Sequence, residues 1–209
     1  LLKTLPHQLI EGCLIASHTV KAKASFIYVN HEYHEEQQNL KKAIAQARER
    51  GFLGKNVLGS GIDIELEIFD GHGSYVAGEE TAMLESMQGR PAMPRQKPPF
   101  YPTDFGLYGK PTLVNNVETL CNIPRILHKG AGWFTQIGTE KCPGTMMFSL
   151  SGSVNRPGVY EMPMGVTIRE MVEECGGGVP GGRRRRGHHR RARYNKRGCA
   201  ARDAHRAPP

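Results

Sequence analysis

The residues best suited to chemistry stand in three short clusters. The first is His72-Gly-Ser-Tyr-Val-Ala-Gly-Glu-Glu-Thr81. Gly71, Gly73 and Gly78 let backbone come close to a flat or charged ligand, and the free N–H groups of a helix start attract anions. Glu79 and Glu80 would open that helix, which is also what plain first-turn capping looks like. The second cluster is Lys97-Pro-Pro-Phe100. Its stiff backbone either offers a cation to phosphate or ribose hydroxyls and a ring to a base, or tucks Phe100 into the core beneath a surface turn. The third is Asn115-Asn116, followed by Glu118 and Thr119. Their amides both donate and accept, so they can read a polar ring edge or cap the next helix. Residue types alone leave both meanings open at each cluster.

Other chemistries lack their parts. Asp70-Gly71-His72-Gly73 does not carry the three spaced glycines of a dinucleotide fingerprint, and no Walker phosphate loop occurs. Ser60 and Ser74 have no nucleophile-elbow context. His31 and His34 are three apart but have no third ligand nearby, so no metal site is expected.

These clusters need elements to hold them. Leu5 to Val20 predicts a helix, with Leu9, Ile10 and Leu14 in step and Pro6 at a first helical position. Ser25 to Asn30 predicts a short strand buried on both faces. Glu35 to Arg50 predicts a helix striped by Leu40, Ile44 and Ala47 and stopped by Gly51. Ile62 to Phe69 alternates, which predicts a half-exposed strand. Helix, strand, helix, strand gives an α/β domain. Asp70 to Gly78 reads as a loop and Glu79 to Gln88 as a helix. Arg90 to Pro111 is proline-rich without period, yet its aromatic residues argue for order. Asn115 to Leu127 predicts a helix broken at Pro124, and Ala131 to Ile137 one more helix. Thr145 to Ser151 and Val159 to Met162 predict a hairpin, and Thr167 with Glu170 forms a capping box opening a helix through Cys175.

Composition bounds the rest. The chain has 209 residues, 38% hydrophobic and 23% charged, enough for one core and the start of a second. No stretch approaches the length of a membrane helix. The net charge is +8, but residues 183–209 hold eleven Lys/Arg against one Asp, while the rest of the chain is slightly acidic. Nucleic-acid binding would therefore rest on that basic end alone. It reads either as an electrostatic arm, disordered by itself, or as the product of a shifted reading frame. The five cysteines lack zinc or iron–sulfur spacing, and their odd number argues for free thiols in a reducing compartment.

Two long runs carry a resemblance. GSYVAGEETAMLESMQGRPAMPRQKPPF and YGKPTLVNNVETLCN, with PHQLIEG before them and FSLSGSVNRPGVYEMPMGVTIREMVEECGGG after, resemble the family of FMN- and NADH-binding subunits of respiratory complex I, also called the 51 kDa or F subunits. The likeness runs from about Pro6 to Gly182. It implies a Rossmann-like α/β FMN- and NAD-binding domain, of which residues 1–143 would be the C-terminal part. Residues 144–182 would begin a ubiquitin-like β-grasp (SLBB) domain, and residues 183–209 depart from the family pattern. The implied activity is NADH dehydrogenase: hydride passes from NADH to FMN, and electrons go on through iron–sulfur clusters toward quinone. Gly78, Glu79 and Glu80 match the family's GEE element beside flavin and nicotinamide, with Tyr75 in the same wall. Glu80 is the implied catalytic residue, either orienting the nicotinamide amide or acting through its field. Asn115 and Asn116 match the asparagines that hold the flavin. Lys97 and Phe100 match positions lining the NADH cleft, the ring beside adenine.

The resemblance also implies what lies elsewhere. The family's glycine-rich flavin loop precedes the matching region, and its cysteines for a 4Fe-4S cluster follow it, so this chain is expected to be an internal segment that binds FMN weakly or not at all alone. The implied partner is a thioredoxin-like 2Fe-2S subunit, with peripheral attachment on the cytoplasmic side of the inner membrane and no direct insertion. The alternatives are the flavin subunit of an NAD-dependent formate dehydrogenase or NAD-reducing hydrogenase, or a scaffold that has lost its cofactor.

Overall fold

The computed structural model describes residues 1–182, and the basic end at 183–209, with its arm and frame-slip readings, lies outside the described residues. The chain forms two compact units, one from Leu1 to Arg125 and the other from Ile126 onward.

In the first unit, helix α1 (Pro6–Val20) starts on Pro6 and ends where Lys21 turns left-handed at φ 57° and its N–H reaches the Ser17 and His18 carbonyls. Strand β1 (Ala24–Asn30), helix α2 (His34–Glu49) and strand β2 (Glu65–Gly71) follow. β1 and β2 pair in parallel, from Ala24 opposite Glu65 to Asn30 opposite Gly71. A parallel pair needs a crossover, and α2 supplies it. Leu9, Ile10 and Cys13 of α1, Leu40 and Ile44 of α2, and Ile27, Val29, Ile64 and Leu66 form one buried cluster. β1 is not buried on both faces as expected: Ile27 and Val29 point inward while Phe26 is 44% exposed. With one face on the helices and, among the described residues, β2 alone beside it, β1 takes the alternation of a half-covered strand. β2 extends past the predicted loop start, since Asp70 and Gly71 still pair with Val29 and Asn30.

A single turn at Tyr75–Gly78 leads into helix α3 (Glu80–Met87). Helix α4 (Pro102–Phe105) is one turn long, and a second short turn covers Leu107–Gly109. Helix α5 (Val117–Lys129) runs unbroken through Pro124, contrary to expectation. Pro124 cannot donate to the Leu120 carbonyl. The fold tolerates this because that carbonyl faces α1 at Gly12, where no side chain intervenes.

The second unit contains helix α6 (Ala131–Thr135), a small ladder of β3 (Gly138–Thr139) with β4 (Cys142–Pro143), and the predicted hairpin. Its strands β5 (Thr145–Leu150) and β6 (Gly158–Pro163) are antiparallel. Thr167 and Glu170 make the capping box that opens α7 (Ile168–Glu170), and a wider π-turn continues through Cys175. Leu150, Val166 and Met171 are buried here. Cys13, Cys121 and Cys175 are free thiols, as expected. Burial, with Cys121 adding to it, pushes the Cys13 thiol up to about 12, so it behaves as core.

Candidate functional site

Ligands of parallel α/β sheets gather at the carboxyl ends of the strands. Here those ends are Asn30 and Gly71. They are held from α2, where the Gln37 amide donates to Asp70 Oδ1 at 2.7 Å and to the Asn30 carbonyl at 3.3 Å. The His31 N–H closes the corner on the Gly71 carbonyl at 2.8 Å. Gly71 has no room for a side chain, since a Cβ would lie 2.3 Å from the Tyr28 ring. That ring stacks on Phe69, and its hydroxyl lies 3.1 Å from Ser86 Oγ on α3. The Tyr28 hydroxyl thus ties the strand pair to the last turn of α3.

Glu79 is the N-cap of α3. Its Oε2 accepts from the Ala82 N–H at 2.8 Å and from the Thr81 hydroxyl at 2.5 Å. Its Oε1 takes the Lys97 ammonium at 3.0 Å, and the same ammonium bonds Glu80 Oε1. Burial works against ionisation of Glu79, but the Thr81 and Ala82 hydrogen bonds and Lys97 outweigh it and bring the carboxyl down to about 2. The Glu80 hydrogen bond is the main reason the Lys97 pKa is raised. The trio carries two negative charges and one positive. It therefore suits hydrogen-bond donors, such as ribose hydroxyls, a carboxamide or a cationic ring, better than a phosphate.

A depressed carboxyl has a consequence for stability. The Glu79 bonds contribute fully above its ordinary pKa of 4.5 and are lost as pH falls through about 2. The size is at most about 3 kcal/mol. Urea unfolding at a series of pH values should show wild type losing more stability between those limits than Glu79→Gln. Parallel pH profiles for the two would remove this assignment.

The proline-rich segment is ordered by specific bonds. The Arg95 N–H donates to Thr81 Oγ1 at 2.9 Å, its Nε to Glu85 Oε1 at 2.5 Å, and its Nη1 to the Phe105 carbonyl at 2.6 Å. Arg90 takes the other Glu85 oxygen at 2.6 Å. Phe100, half exposed, meets Phe105 edge-on at 6.2 Å. Both rings line an open cavity of about 340 Å³ with Glu85 and Arg95.

The sequence-derived candidates thus fall into groups. Glu79, Glu80 and Lys97 touch one another. Phe100 stands three residues along the same segment. Gly78 has open space around its Cα, and Tyr75 is 98% exposed one turn before α3. Asn115 and Asn116 are exposed, and Asn116 Oδ1 accepts from the Glu118 N–H at 2.8 Å, which is the capping alternative. Sequence reasoning missed Thr81, Glu85 and Arg95. A threonine behind two glutamates looks like helix filler, and the Arg95 partners are ten or more residues away. Among the described residues, no group of three or more His, Cys, Asp or Glu is placed to hold a metal, and no helix is long and apolar enough to cross a membrane.

Residues 1–125 match the Nuo51 FMN-binding domain family, and residues 147–194 match the SLBB domain. The chain belongs to the Nuo51 FMN-binding family. Its α/β unit is the Rossmann-like domain of that family, followed by an SLBB region. The F subunit of the NADH-quinone oxidoreductase of Escherichia coli is 49% identical over 182 residues, covering 87% of this chain and 41% of the relative. The F 2 subunit of the Rhizobium meliloti NADH-quinone oxidoreductase is 48% identical over 177 residues, covering 84% and 42%. The chain therefore spans about two fifths of the length of these relatives. Among solved structures, an NAD+-reducing NiFe-hydrogenase in its H2-reduced state superposes with a TM-score of 0.72 at 38% identity, covering 82% of this chain and 28% of that one.

Proposed function

We propose that this chain forms one wall of the site where a flavoprotein NADH dehydrogenase brings NADH to FMN. The observation that carries the reading is the Glu79–Glu80–Lys97 trio, set at the start of α3 in the segment that follows the carboxyl end of β2. The residues present fit the ring and hydroxyl portions of such ligands. Gly78 leaves backbone open, Tyr75 is a free aromatic surface, and Phe100 is half exposed. Tyr75, Gly78, Asn115 and Asn116 would hold FMN, while Glu79, Glu80, Lys97 and Phe100 would face NADH. When bound, FMN supplies the chemistry: it takes a hydride and releases electrons singly.

Glu80 is the catalytic residue of this reading. Its carboxylate, tethered by Lys97, accepts from the nicotinamide carboxamide and fixes the ring's orientation, which hydride transfer needs more than it needs a base. The electrons would leave through iron–sulfur clusters toward quinone. A 4Fe-4S cluster would be held by residues outside this chain, and a thioredoxin-like 2Fe-2S subunit is the proposed neighbour. The assembly would sit peripherally on the cytoplasmic side of the inner membrane. Within the chain, residues 1–143 would serve the FMN and NADH domain and 144–182 would begin the β-grasp domain. The higher identity to quinone-linked relatives than to the hydrogenase favours quinone over a hydrogenase partner.

The test is a chimera. Residues 1–182 replace the matching segment of the Escherichia coli F subunit, and flavin absorbance is followed after NADH addition. The flavin should bleach, and Glu80→Gln should slow bleaching about tenfold with flavin content unchanged. A chimera that retains flavin but is not bleached by NADH would overturn the reading.

A further inference from the structure

We infer that Thr81 is a positioning residue whose hydroxyl sets the register of the segment carrying Lys97 and Phe100 against helix α3. The inference rests on the NADH-site reading above and adds a residue that touches no ligand in it. Thr81 is fully buried, with 0% exposure. Its single hydroxyl is used twice. The proton goes to Glu79 Oε2 at 2.5 Å, and a lone pair takes the Arg95 N–H at 2.9 Å. Donating to an anion makes a hydroxyl oxygen a better acceptor, so each bond strengthens the other.

The two bonds close a ring. Glu79 binds the Thr81 hydroxyl through one oxygen and the Lys97 ammonium through the other. Arg95, bonded to Thr81 through its backbone, stands two residues before Lys97. The segment is therefore attached to α3 at both ends of a three-residue span, at Arg95 by the backbone bond to Thr81 and the side-chain ion pair with Glu85, and at Lys97 by an ionic bond alone. Ion pairs made through long side chains hold the backbone less firmly, because the stems of Lys97 and Arg95 can follow a shifting backbone. The bond at Thr81 fixes the backbone itself. A fully buried side chain also leaves no place for water to substitute for the lost hydroxyl.

Amide hydrogen exchange on the full 209-residue chain tests this without any cofactor. Thr81→Val removes the hydroxyl and keeps the shape, while Thr81→Ser keeps the hydroxyl. Thr81→Val should speed exchange of the Arg95 N–H by about tenfold or more, the core Leu40 and Leu66 amides staying as in wild type, and Thr81→Ser should restore Arg95 protection. If Thr81→Val does not fold, Thr81→Cys, which fits the space and weakens both bonds, reads the same contrast. In the chimera described above, Thr81→Val should raise KM for NADH about tenfold and leave kcat within about threefold, and Thr81→Ser should stay near the parent. Unchanged Arg95 exchange, uniform acceleration of core amides in a folded variant, or a Thr81→Ser that behaves like Thr81→Val would each overturn the proposal. A chimera inert toward NADH would strike the functional reading alone, because the exchange result decides the role of Thr81 separately.

Discussion

Replacing Gly12 by alanine is expected to cost about 2–4 kcal/mol of stability, among the largest effects of any single methyl in this chain. A Cβ built on Gly12 would stand 2.1 Å from the Leu120 carbonyl oxygen and 2.7 Å from its carbon. Those are backbone atoms, so no rotamer change relieves the clash. Helices α1 and α5 must move apart by about 1 Å for ordinary contact. Separation would loosen the packing of buried Cys13 and Cys121 and stretch the bond from the Gln8 amide to the Cys121 carbonyl, now 2.6 Å. Urea unfolding of Gly12→Ala against wild type measures the loss, with Gly132→Ala as the control. Gly132 lies in α6 with nothing near its Cα, and alanine there should be neutral or slightly stabilising. Equal midpoints for Gly12→Ala and wild type would show that the helices are not held this closely.

The same contact marks where sequence stopped being readable. The patterns of α1, α2 and β2 were legible because each element repeats its apolar residues at its own period, and those faces meet in one core. The capping box of α7 was legible because its two residues satisfy each other locally. Pro124 misled, because its cost in α5 depends on what lies opposite the orphaned carbonyl, and that is a glycine more than a hundred positions away. β1 misled in the same sense, since burial on a second face depends on what covers the sheet. At the candidate site, the glutamates and Lys97 were visible as types, and the structure adds that one ammonium bridges both carboxylates. Thr81 and Arg95 were invisible. A hydroxyl that serves a neighbour two residues away and an amide fourteen residues away has no local signature.

Removing the ammonium should have the largest functional effect. Lys97→Met in the chimera is expected to raise KM for NADH by about 10- to 100-fold, with flavin retained. Two arguments converge on that range. Without Lys97 the trio changes from one net negative charge to two, and a dinucleotide brings further negative charge on its pyrophosphate. A unit charge at about 6 Å in an effective dielectric near 20 is worth about 3 kcal/mol before screening, close to a hundredfold. The Phe100 segment also loses its attachment to α3 at Lys97, keeping the Thr81 bond and the Glu85 ion pair at Arg95. The electrostatic part is separable by salt: raising ionic strength should recover affinity in Lys97→Met and weaken it little in the parent. Lys97→Arg, which keeps the charge but spreads it over a larger plane, should fall between them. Were Lys97→Met to bind NADH as the parent does at low salt, the trio would be a capping arrangement of α3 with no part in ligand recognition. The carboxylates at Glu79 and Glu80 would then be explained by helix physics alone.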